Sequence, residues 1–178
     1  MAIATDASNN VFVTGFYRSD SLRLGNLPPL AKPVSQDIYI VKYNSAGDEL
    51  WAKSANGTGQ LNQSQGLATD ATGNVFVTGY FGKGTIQFGT TPTLTGTGSW
   101  NPYIAKYDGN GTALWAKGPT GCESYDIVSG ISTDASGNAY IVGIMNGKTL
   151  QFGNLTPLTK KDTTPKGDVY IVKYDANI

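Results

Sequence analysis

At 178 residues with 39% hydrophobic content, the chain has single-domain size and enough apolar material for a core. Its 13 basic residues balance 13 acidic ones, which excludes the clustered Lys/Arg face of a duplex-binding protein. Histidine is absent and Cys122 is the single cysteine, which excludes intrachain disulfides, Cys/His zinc centres and Ser/His/Asp or Cys/His nucleophilic arrangements.

Along the chain, apolar runs are short and separated by Gly, Asn, Thr, Ser and Pro, and none approaches the roughly 18 residues of a membrane span. No basic segment followed by an apolar run opens the sequence, so no secretory signal is visible in it. The first recognisable element is Ile3-Ala4-Thr5-Asp6-Ala7-Ser8-Asn9-Asn10-Val11-Phe12-Val13-Thr14-Gly15. It predicts a tight hairpin: Asp6 accepts amides ahead of it in the turn, and Asn9 tolerates positive φ. Leu22-Arg23-Leu24-Gly25, the alternating strand Asp37 to Tyr43, the turn Asn44-Ser45-Ala46-Gly47 and the strand Glu49-Leu50-Trp51-Ala52-Lys53 follow, and a polar linker runs from Asn56 to Gln65.

The same order then returns. The hairpin recurs around Asp70 and Asp134, with Gly73 and Gly137 where Asn9 stood, and Asp6, Asp70 and Asp134 are spaced by 64 residues. Trp51 and Trp115 keep that phase, as do Gly25, Gly89 and Gly153. In the third copy the strand Asp168 to Tyr174 comes three residues late, which places an insertion between Thr159 and Lys166, and the Trp-bearing strand is missing. The units are 3–66, 67–130 and an incomplete 131–178.

In Tyr39-Ile40-Val41-Lys42-Tyr43 the two faces carry Tyr39, Val41 and Tyr43 against Ile38, Ile40 and the stem of Lys42, so both need cover. Stacked four-stranded antiparallel sheets of a β-propeller supply it; a sandwich requires no such period, and solenoid rungs are shorter. Trp51, Trp115 and the sets Tyr39/Tyr103/Tyr170 and Tyr43/Tyr107/Tyr174 are then packing residues between blades. Small ribbons are expected around Leu24-Gly25, Phe88-Gly89 and Phe152-Gly153, within the loops 18–36, 83–99 and 146–167.

Asp70-Ala-Thr-Gly-Asn-Val-Phe-Val-Thr-Gly-Tyr-Phe81, Phe88-Gly89, Tyr103-Ile104-Ala105-Lys106-Tyr107-Asp108 and Leu114-Trp115-Ala116-Lys117 together closely resemble the bacterial SBBP repeats, a seven-bladed β-propeller-like family. The resemblance covers nearly all of residues 3–175. It implies blades of a secreted or cell-surface protein with many repeats, and it carries no catalytic signature that transfers to this chain.

The candidate chemistry is correspondingly thin. Asp6, Asp70 and Asp134 could ring a channel, but Asp-Ala-Ser-Gly-Asn offers too few oxygens for calcium, and turn capping accounts for them. Gly79 to Thr85 is not a phosphate loop, because its Lys83 precedes Gly84 and its flanks are strands. Lys160, Lys161 and Lys166 are interleaved with Asp162 and Asp168 in a solvated loop. No catalytic, cofactor-binding or metal-binding residue is assigned. Specificity is expected at unrepeated positions, such as Glu123 and Asp126 near Cys122.

The expected function is a non-catalytic extracellular or cell-surface interaction scaffold, whose partner is a protein or polysaccharide surface and not nucleic acid. A carbohydrate-binding or glycoside-cleaving propeller and a structural spacer are the alternatives. Two full units and part of a third do not close a ring. Closure is expected either from further blades of a longer parent chain or from two chains combining head to tail.

Overall fold

The computed structural model describes residues 1–31, 35–161 and 166–176, and the described residues are all-β, in several antiparallel sheets. The first sheet is built on β1 (Ala2–Thr5), β2 (Val11–Tyr17), β3 (Asp37–Tyr43) and β4 (Glu49–Asn56). Next come β5 (Gln63–Thr69), β6 (Val75–Phe81), the short β7 (Gly84–Phe88) and β8 (Leu94–Gly96), β9 (Asn101–Tyr107) and β10 (Ala113–Lys117). The last group is β11 (Ile127–Thr133), β12 (Ala139–Met145), β13 (Thr149–Leu150), β14 (Leu158–Thr159) and β15 (Asp168–Tyr174).

The expected uniform four-stranded sheet is found only in the second group, ordered β10-β9-β6-β5. The first sheet has six strands, β1-β2-β3-β4-β7-β8, because β4 extends beyond its Trp and pairs Ala55 with Phe88 and Asn56 with Gln87. One group's small ribbon thus straps onto the preceding sheet, which is curled and open. Between the second and third groups the strap shrinks to the bridge Thr120↔Gln151. The third sheet has three strands, β11-β12-β15, beside the pair β13-β14.

The three hairpin turns close as their residue types require. Asn9 sits at φ 59°, in the positions that Gly73 and Gly137 fill at 82° and 79°, and Asn is the non-glycine residue that tolerates this region best. The ribbons expected in the long loops are present as the Leu22↔Leu30 bridge, β7 with β8, and β13 with β14. The insertion expected within 159–166 falls largely outside the described residues, as do Asn177 and Ile178.

Two cores form between the three sheets. Phe12, Ile38 and Ile40 of the first meet Val75, Val77 and Tyr103 of the second. On the other side Phe76 and Ile104 of the second meet Ile141, Tyr170 and Val172 of the third. The middle sheet is therefore covered on both faces, and β6 and β9 are buried at every residue, whereas β12 and β15 are buried mainly at alternate ones.

The indoles mark both seams. Half-buried Trp51 meets Phe12 of its own sheet edge-on at 6.0 Å and stacks on Tyr107 of the next at 6.3 Å. Trp115 repeats this with Phe76 at 6.0 Å and Tyr174 at 5.9 Å. Replacing either Trp51 or Trp115 by Ala should destabilise the protein by about 2–4 kcal/mol, below the fully buried limit because each ring keeps a wet edge. Urea denaturation followed by circular dichroism measures this, and a loss below about 0.5 kcal/mol for both would mean the rings do not hold the seams.

Candidate functional site

At each hairpin turn the aspartate is the hub. Asp6 Oδ1 accepts the amides of Ser8 and Asn10, both at 2.9 Å, and Oδ2 accepts the Asn10 side-chain amide at 2.8 Å. Asp70 does the same with Thr72 and Asn74, and Asp134 with Ser136 and Asn138. Burial pushes the Asp6 and Asp70 carboxyls up, but these donors outweigh it and hold both below the usual carboxylate range. Hydrogen bonding, from Asn138 first, holds Asp134 low as well.

Sequence reasoning counted only the stem of Lys42, yet the whole side chain is buried, as is that of Lys106. Lys42 Nζ lies 3.7 Å from Asp6 Oδ2, sits over the Phe12 ring and donates at 3.0 Å to the Gly109 carbonyl in a turn of the next sheet. The same carbonyl accepts Trp51 Nε1 at 3.1 Å. Lys106 repeats the arrangement with Asp70 at 3.5 Å, the Phe76 ring, and the Ala176 carbonyl at 3.3 Å. A threonine ladder runs beside it: Thr69 Oγ1 donates to the Thr5 carbonyl and Thr133 Oγ1 to the Thr69 carbonyl, both at 2.7 Å.

The third sheet departs from this rule. Lys173 pairs with Asp175 at 2.9 Å in an exposed contact, and the Asp134 carboxylate takes the Tyr140 hydroxyl at 3.0 Å. Around it Ile171 is 72% exposed and Val169 73%, and on the opposite end of the array Ile3 is 68% exposed.

The unrepeated positions hold two further features. Trp100, which sequence reasoning did not single out because it has no counterpart in phase, stacks on Tyr80 at 4.5 Å and meets exposed Tyr125 edge-on at 5.0 Å. Close by, buried Asp126 fixes a loop by accepting the Asn146 and Gly147 amides at 2.7 and 2.9 Å. Burial pushes the Asp126 carboxyl up, and burial together with Asp126 pushes the Cys122 thiol up to about 12, in keeping with its place in the core of the second seam. Glu123 brings no third ligand: among the described residues no group of three or more His, Cys, Asp or Glu could hold a metal ion. No helix among them is long and apolar enough to cross a membrane.

No family model matches the chain. It is 27% identical to an uncharacterized WD repeat-containing protein of Acanthamoeba polyphaga mimivirus over an alignment that covers 86% of the chain and 13% of that protein.

Two expectations follow from the charges. Lys42→Met and Lys106→Met keep the stem but leave a buried carboxylate without its ammonium and should each cost about 2–4 kcal/mol, whereas Lys173→Met, which removes an exposed contact, should leave the urea midpoint unchanged. Equal urea midpoints for all three would show that the ammonium contributes nothing at the seams. Asp37 behaves oppositely to the turn aspartates: burial pushes it up to about 6, against donation from the Ile38 amide and the Asn62 side chain. Its native state holds the proton more tightly, so stability falls as pH rises from the ordinary carboxylate value through about 6. The matching Asn101 in the second sheet uses its amide to donate to the Phe81 and Gly98 carbonyls. Asp37→Asn should therefore raise stability by about 1–3 kcal/mol at neutral pH, with the gain vanishing below about pH 4. Thermal melts across that range check it, and a gain of equal size at both ends would refute the linkage.

Proposed function

We propose that the chain is a non-catalytic interaction scaffold built from β-propeller blades with a period of about 64 residues, the units being 3–66, 67–130 and 131–178. Its repeats are of the SBBP type, and it works outside the cell or at the cell surface. The observation that carries the reading is the use made of the repeated polar groups. Asp6 and Asp70 are consumed by turns and lysines, Trp51 and Trp115 by seam packing, and Thr69 and Thr133 by the ladder, which leaves recognition to unrepeated rim positions. The similarity to a WD repeat-containing protein supports the repeat-built part of this reading.

The rim patch of Tyr125 on Trp100, with Tyr80 behind it, is the strongest candidate contact surface, since Tyr and Trp bury large area at little entropic cost. A protein surface is its favoured partner. The same exposed Tyr125 against an indole gives the carbohydrate-binding alternative its one specific support, as a stacking platform for a sugar ring. Nothing of this kind supports glycoside cleavage.

Labelled protein added to cells of the source organism distinguishes these readings. Saturable binding that is lost after protease treatment of the cells, survives periodate oxidation of surface glycans and weakens at least about tenfold in Tyr125→Ala at unchanged melting temperature is the expected result. Loss on periodate alone would move the assignment to polysaccharide. Absence of saturable binding, or turnover of a chromogenic glycoside panel, would overturn the scaffold reading.

A further inference from the structure

Two buried side-chain oxygens without a hydrogen-bond partner among the described residues stand 64 positions apart, on Asn62 and Asp126. Each residue directly precedes a strand, β5 or β11. At the first seam this position is a neutral amide and the carboxylate lies across from it on Asp37, 3.4 Å from Asn62 Nδ2. At the second the types are exchanged: the carboxylate is on the loop, at Asp126, and Asn101 stands where Asp37 stood.

Asp126 is 0% exposed. Its Oδ1 accepts the Asn146 and Gly147 amides at 2.7 and 2.9 Å, while Oδ2 accepts nothing. Burial penalises charge on such an oxygen, and a neutral hydroxyl there loses far less. The titratable groups facing it supply no relief. Glu123, on the same loop, adds a second negative charge; the Cys122 thiol and, from β15, the Tyr170 hydroxyl are both pushed up by the Asp126 charge. Lys148, next to Gly147, is exposed, and no ion pair with Asp126 forms among the described residues.

The loop that Asp126 holds also carries the rim patch. Asn146, pinned by its amide to Oδ1, donates its side-chain amide to the Tyr125 carbonyl at 2.6 Å. The Trp100 amide donates to the Ser124 carbonyl at 3.1 Å, and the Tyr125 ring meets the indole at 5.0 Å. Gly147 lets the turn come this close, since a Cβ there would stand 3.3 Å from Oδ2.

We propose that Asp126 Oδ2 is a proton-binding site that positions the rim patch: the bound proton favours the closed loop, with Tyr125 seated on Trp100, and its loss loosens that loop. The proposal rests on the rim reading above and gives that surface its regulation. In an opened loop the carboxyl is solvated and keeps the ordinary carboxylate value, whereas burial in the closed loop raises it. The closed loop therefore holds the proton more tightly. Closure strengthens as pH falls through the raised value and gains nothing further below the ordinary one. A partner that covers Tyr125 and its exposed neighbour Glu123 drives proton uptake in the same direction.

NMR titration from about pH 8 to about pH 3, in an Asp37→Asn background that removes the other raised carboxyl, tests the site directly. The amide shifts of Asn146 and Gly147 should titrate together with a midpoint above the ordinary value of 3.8. The Tyr125 ring protons, which lie beside the Trp100 indole, should follow with the same midpoint. In Asp126→Asn the amide takes the place of the neutral acid, as Asn62 does at the first seam, so all these signals should be flat and Tyr125 should keep its low-pH position at neutral pH. Labelled protein should bind cells about fivefold more tightly in mild acid than at neutral pH, and Asp126→Asn should bind at neutral pH as the parent does in acid. Should Asp126→Asn fail to fold, Glu123→Gln, which alters an exposed side chain, should lower the midpoint; an unmoved midpoint would then overturn the assignment. A midpoint at or below the ordinary value, amides that titrate while Tyr125 stays still, a titration that persists in Asp126→Asn, or the same shift changes on adding calcium at neutral pH would each overturn the proposal. Absence of cell binding at every pH would overturn the rim function, whereas the NMR titration decides the proton site without a partner.

Discussion

A sheet with two apolar faces is stable only when both are covered, and every feature of this fold serves that constraint. β6 and β9 meet it fully, with Val75, Val77 and Tyr103 turned one way and Phe76 and Ile104 the other. The hydrophobic driving force is non-directional, so burial alone would let the sheets slide or rotate against each other. The polar groups at the seams remove that freedom. A lysine ammonium taken out of water needs a carboxylate and a carbonyl in fixed positions, and Lys42 finds them in Asp6 and Gly109. The net energy of such a group is modest, but any shifted packing strands a charge, so the seam has one geometry.

The same constraint orders the molecule by stability. The middle sheet shares two cores, while the first and third sheets share one each, so local opening should begin at the ends of the array and spread inward. The β4–β7 strap works against this by tying backbone of one group to the edge of the preceding sheet, through Ala55↔Phe88 and Asn56↔Gln87. Phe88 of the strap packs at a tilt against Tyr103 at 4.9 Å, and Phe152 against Tyr170 at 5.2 Å repeats the contact one sheet later. The ribbons are therefore clamps between neighbours as well as decoration on a single sheet.

What could be read from the sequence was whatever repeats in phase and whatever the backbone dictates locally. The turn aspartates, the positive φ at Asn9, the alternating long strands, the in-phase indoles and the three ribbons are of this kind, because each follows from residue type and spacing. Three features were not legible. Lys42 looks like a snorkelling surface lysine in any single strand, and its burial depends on a turn 67 residues away. The six-stranded first sheet depends on how far β4 continues past Trp51 into a segment whose composition reads as linker. Trp100 has no partner in phase, and its stacking with Tyr80 and Tyr125 arises from a loop that only the assembled sheets bring together.

Divergence among otherwise matching positions points to where function separates from scaffold. At the start of the long strand the three sheets carry Asp37, Asn101 and Asp168. The neutral amide sits in the sheet covered on both sides, where it donates to two carbonyls without the cost of a buried charge. At the hairpin, Phe12 and Phe76 lie under their lysines, but the third sheet has Tyr140, whose hydroxyl supplies Asp134 with a donor while Lys173 points to Asp175. A phenylalanine there would leave an apolar ring against solvent and a carboxylate short of one partner; tyrosine meets both needs with one added oxygen. The third sheet thus keeps the hairpin and the long strand of the unit, without a fourth strand among the described residues, while its outer face tolerates water.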